Sequence, residues 1–120
     1  MKTIISLIAV LGIFSVNSVS AADLSKLVET NLKNSLQTEN SMIKSDAINL
    51  AGDLKMDEVV IQLMKILKSD KNKELRILAA IALHKIQDDR GLFAIKQAIH
   101  FDDERCVRRA CAYLSVTDVT

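Results

Sequence analysis

The sequence has no proline, no tryptophan and only three glycines in 120 residues. Without proline, no helix is kinked by one. Aromatic residues make up 3% of the chain, which leaves no stacking platform for nucleic-acid bases. An excess of either charge is also missing, since 16 basic residues stand against 15 acidic ones. No net field is left to draw in nucleic acid or an anionic membrane. What is present is 49% hydrophobic and rich in Ala, Leu, Ile, Lys and Glu, all good or tolerable in helices. That composition points to a single small all-α domain.

The N-terminus reads as a targeting segment. Lys2 is the only charge before Asp23, and the apolar core runs from Ile4 to Val16. Such a core is short for a membrane span. Val19 and Ala21 suit the small-residue positions before a cleavage point. A signal peptide over 1–21 is therefore expected, cut after Ala21, with Ala22 as the alternative and an uncleaved anchor as the rival. Losing Lys2 leaves 15 basic and 15 acidic residues. The expected location is exported, periplasmic or secreted.

The rest of the chain is organised around Leu75 to Ile86, LRILAAIALHKI. Leu75, Leu78, Ala79, Ala82, Leu83 and Ile86 form one helical stripe, and Ile77, Ala80 and Ile81 a second. A helix apolar on two sides has neighbours on two sides. Self-alignment explains it with a period of about 32 residues, in the range of stacked helical repeats. Ser25, Asp57 and Asp89 share that spacing and read as helix N-caps. Ile43, Leu75 and Val107 share it, as do Lys44, Arg76 and Arg108, and Ala47, Ala79 and Cys111. Leu50, Ala82 and Leu114 complete the register, and Asp70 and Asp102 match with Thr38 in the first unit.

Each unit reads as two helices. The first helices are expected at about 25–37, 57–68 and 89–100, the second at about 41–52, 73–87 and 104–115. The units span about 24–52, 56–87 and 88–115 within a repeat domain of 22–120. Gly52 falls where the first unit's second helix should end. Terminal units depart from the middle one as water-facing ends should. Asn31 and Ser35 replace Leu63 and Leu67, with Leu32 and Leu36 carrying the apolar face. Asp46 interrupts the stripe of Leu78 and Ala110, and Arg109 stands where Ile77 does.

These residues resemble HEAT repeats, most closely the short variety of phycobilisome lyase-like proteins. The family's Val-Arg opening of the second helix, followed by small residues and Leu, is matched by LRILAAIAL from Leu75 and VRRACAYL from Val107. The family's turn Asp matches Asp70 and Asp102. The resemblance covers about residues 24–115. It implies a short right-handed α-solenoid of about three helix pairs, used as a protein-binding surface. It also implies a structural ladder of Asp70 with Arg76 and Asp102 with Arg108, bonding turn to helix. Arg76→Ala is then expected to cost about 1–3 kcal/mol.

No catalytic, cofactor-binding or metal site is expected. His84 and His100 lack partners at metal-ligand spacing, and Lys85 and Phe101 follow them where iron-binding relatives need an acid. Cys106 and Cys111 are about 140° apart on one helix, too far for an internal disulfide. Cys111 holds a small core position. Cys106 is expected to be more exposed, open to an intermolecular disulfide or an attached group; the lyase-like resemblance suggests a bilin there, but it is a resemblance of the repeat alone and no cofactor is expected. The acid runs at Asp88-Asp89 and Asp102-Asp103-Glu104 precede helices and read as caps, without a calcium-loop pattern. Lys65, Lys68, Lys71 and Lys73 read as a solvated face.

The expected function is that of a non-enzymatic scaffold binding another protein or peptide. Its face is expected from exposed positions of the second helices, Asn49, Ile81, His84, Lys85, Ala112 and Tyr113. Tyr113 is either an interface anchor or a cover for the last repeat. Neither a nucleic-acid partner nor stable membrane insertion after cleavage is expected. Two alternatives stay open: self-association through the terminal repeats, and a lyase-like accessory subunit.

Overall fold

The computed structural model describes residues 20–117. The expected leader, apart from Ser20 and Ala21, lies outside the described residues, as do residues 118–120. The described chain runs α1 (Ala21–Leu36), α2 (Ser41–Asp53), a single 3-10 turn (Asp57–Val59), α3 (Val60–Ser69), α4 (Lys73–Ile86), α5 (Asp89–Phe101) and α6 (Arg105–Thr117). Among the described residues there is no strand.

Consecutive helices pair as α1–α2, α3–α4 and α5–α6. The second helices α2, α4 and α6 pack side by side, with α4 in the middle. Among the first helices, α3 and α5 pack together, while α1 touches α3 only lightly. The core lies between the two layers. Leu32 and Leu36 enter it from α1, Leu63 and Leu67 from α3, Ile95 from α5 and Val107 and Cys111 from α6. Helix α4 supplies Leu75, Ala79, Ala80, Ala82 and Leu83, all buried. Its small residues let neighbours approach on both sides, which is why the two-sided apolar pattern belongs to α4.

Helix starts differ from the expected caps. Asp88, not Asp89, caps α5 and accepts from the Arg90 N–H. Asp57 opens the 3-10 turn and is not itself a cap. Helix α1 begins at Ala21 with Ser20 as its cap, so Ser25 lies inside it. The second helices carry the clearer signal. Asn40 and Asn72, 32 residues apart, each accept two backbone N–H bonds at the start of α2 and α4. An Asn side chain is well suited to this, because its short amide reaches the orphan donors of the first turn.

Gly52 also has a different role from the expected one. Helix α2 continues past it to Asp53, and Gly52 is buried. A Cβ there would lie 2.9 Å from the Ala82 Cα of α4. The residue permits close helix approach. The turns between units instead place Lys55 (φ 51°) and Gln87 (φ 61°), which are 32 residues apart, in the left-handed region.

Candidate functional site

The ionic ladder begins with the turns between paired helices. Thr38, Asp70 and Asp102 each accept from the N–H two residues on, at 3.3, 2.9 and 2.9 Å. The turn is thus closed before any long-range contact is made. From the first turn of α4, Arg76 then makes four bonds. Its Nη1 donates to the Asp70 carbonyl at 2.7 Å, while Nε and Nη2 each donate to the Asp102 carboxylate at 3.0 Å. Nη2 also donates to Asp103 at 3.1 Å.

The expected pairs, Asp70 with Arg76 and Asp102 with Arg108, do bond, but through the turn's backbone carbonyl. Arg76 does not meet the carboxylate of Asp70, and Arg108 does not meet that of Asp102. Each reaches its own unit's turn through the backbone carbonyl, with Arg108 Nη1 2.7 Å from the Asp102 oxygen. The carboxylates face the preceding unit instead: Lys44 Nζ lies 2.8 Å from Asp70, and Arg76 forks onto Asp102. The reason is local. Each carboxylate is fixed by its own turn N–H, which leaves the carbonyl as the nearest acceptor for the Arg six residues later. The ladder therefore crosses both unit junctions.

Arg76 is only 7% exposed. Burial alone would raise the pKa values of Asp70 and Asp102. The bonds from Lys44 to Asp70, and from Arg76 to Asp102, outweigh it and hold both carboxyls below the ordinary value. Conversely, the Asp102 bond raises Arg76. A fixed, charged and satisfied network of this kind positions helices.

The expected binding residues separate into two groups. Asn49, Ile81 and Tyr113 occupy one register line across α2, α4 and α6, with Asn49 exposed, Ile81 half-buried and Tyr113 71% exposed. Beside them, Lys85 donates to Asp53 at 2.7 Å, bridging α2 and α4. His84 Nε2 lies 3.4 Å from Thr117 Oγ1, so it faces α6. Ala112 is about 100° from Tyr113 around the helix. Its register mates Ile48 and Ala80 are fully buried, which places Ala112 on the stacking side.

A groove of about 620 Å³ lies elsewhere, between α3 and α5. Ile61, Met64, Ala98 and the exposed Phe101 line it, together with Lys65 and Lys68. Both lysines are exposed, as expected of a solvated face, and the groove beside them is what spacing did not show. Register comparison matches equivalent positions and does not see the space between two first helices. Cys106 is exposed and Cys111 buried, and the two are not joined. Burial pushes the Cys111 thiol up to about 11. Among the described residues, no group of three His, Cys, Asp or Glu side chains is placed to hold a metal ion, and no helix is long and apolar enough to cross a membrane.

Helix pairs in register, turn acids and helix-borne cations define a paired-helix repeat protein. The family model for HEAT repeats matches residues 28–115, and the chain belongs to that family. No curated protein matches the chain.

Proposed function

We propose that this protein is an exported, non-enzymatic scaffold whose second helices bind another protein or peptide. HEAT repeats commonly mediate protein–protein interaction, and the family match covers most of the chain. The observation that carries the reading is the line Asn49, Ile81 and Tyr113, repeated once per unit and crowned by an exposed aromatic ring. A rigid Tyr orders at low entropic cost and makes a good anchor. The three pairs form a short right-handed α-solenoid, and binding uses a preformed surface without chemistry. Export rests on the leader-like sequence Lys2 to Ala21. The closer likeness to phycobilisome lyase-like repeats concerns the repeat and brings no cofactor.

Crosslinking and capture from the exported fraction tests this. Tyr113→Ala should reduce a specific partner at least about tenfold, the effect of losing a hot-spot aromatic. Undiminished capture by that variant would move the binding site off this face.

A further inference from the structure

The two ends of the stack differ from its middle in a matched way. At the N-terminal end, Ile43 is 48% exposed, while its register mates Leu75 and Val107 are 4% and 0% exposed. Leu50 is exposed as well, and an open groove runs past Val28, Asn31, Ile43, Asp46 and Leu50. The surface that each later unit buries against its predecessor is thus uncovered on the first. At the other end, Ala112 is half-buried and Val116 exposed, although Ile48 and Ala80 at the position of Ala112 are fully buried.

The charges at these ends are complementary. Arg109 replaces Ile77 on the last unit, and Asp46 replaces Leu78 and Ala110 on the first. Arg108 holds its own turn carbonyl as Arg76 does, but among the described residues no carboxylate completes its fork. Glu39 holds the place of Asp103, the second acceptor of Arg76. Thr38 holds the place of Asp102; it closes its turn but carries no charge.

We propose that the C-terminal end of one copy docks on the N-terminal end of a second copy, repeating the internal unit junction. Arg108 donates to Glu39 and Arg109 pairs with Asp46, while Ile43 and Leu50 gain the cover that Leu75 and Ala82 have within the chain. The contact is heterologous, so it propagates beyond a dimer. Thr38 withholds the strongest acceptor and keeps the association weak. The inference uses the ends of the stack and stands independently of the Asn49–Tyr113 face.

Sedimentation velocity of the purified protein from about 10 μM to about 1 mM tests it, the range in which a contact with one missing acceptor is expected. The sedimentation coefficient should rise with concentration, and less so in high salt. Thr38→Asp should shift the association to roughly tenfold lower concentration, the equivalent of one added charge-assisted bond. Arg109→Glu, at an exposed position, should abolish association, and adding Asp46→Arg should restore it. A monomer at all concentrations for both the parent and Thr38→Asp overturns the proposal. So does association unaffected by Arg109→Glu, or a charge-swapped pair that stays monomeric.

Discussion

The junction between units one and two and the junction between units two and three solve the same packing problem differently. In the first, α2 packs more extensively on α4 than α6 does, and Gly52 admits the Ala82 backbone. Its ladder rung is a single Lys44–Asp70 bond, with the more exposed Lys85–Asp53 pair elsewhere on the junction. In the second, His84 stands at the position of Gly52, and the rung is the forked Arg76 on Asp102 and Asp103. Lysine offers a point charge on a flexible stem. Arginine offers a planar fork that also closes its own turn. Close backbone contact carries one junction, and a polar clamp carries the other.

The largest effect should come from breaking the clamp. Arg76→Ala should cost about 3 kcal/mol, because it leaves the Asp102 carboxylate buried without its partner. Equilibrium unfolding measures this, and an unchanged midpoint would remove the clamp from the argument. Acid should act on both rungs. Asp70 and Asp102 have folded pKa values below their unfolded ones, so their contribution is present above about pH 4 and is lost as pH falls through the folded values. Asp102→Asn should flatten the melting temperature against pH in that acid range.

Gly52→Ala should follow, at about 2 kcal/mol, since the new methyl meets backbone that cannot retreat. Gly91→Ala is the control. Its Cβ would meet the Leu83 side chain, Cδ2 at 2.8 Å and Cβ at 3.3 Å, and no backbone, so a small shift of Leu83 relieves it at lower cost. Equal losses at the two glycines would contradict the close-approach account of the first junction. Lys44→Ala should cost about 1 kcal/mol, less than Arg76→Ala, as one partly buried bond is worth less than a fork. Smallest is Lys55→Gly, which should stabilise by about 0.5 kcal/mol through relief of a left-handed residue at the unit turn. Denaturant midpoints resolve both.

Much of the repeat was legible because hydrophobic period and register are one-dimensional. Spacing alone put Leu75 and Ala79 on one apolar stripe and Cys111 at a small core position, and all three are buried. Asp70 was expected as a partner of Arg76, but its bonding atom and the fork onto Asp102 were not, because a side chain six residues past an Asp can reach either its carboxylate or its carbonyl. Gly52 was misread for a similar reason. A glycine near a helix end suits a left-handed stop, and only the position of Ala82 shows that it serves close approach.

The sequence by itself determined the helices, their pairing into three units and the central place of α4, since propensity, capping chemistry and apolar period are local properties repeated in register. Only the tertiary structure decided which units the ion pairs join, which glycine admits a neighbour, and which exposed residues share a face. Those depend on distances between residues about 26 to 32 positions apart, which the order of residues does not encode until the helices have packed.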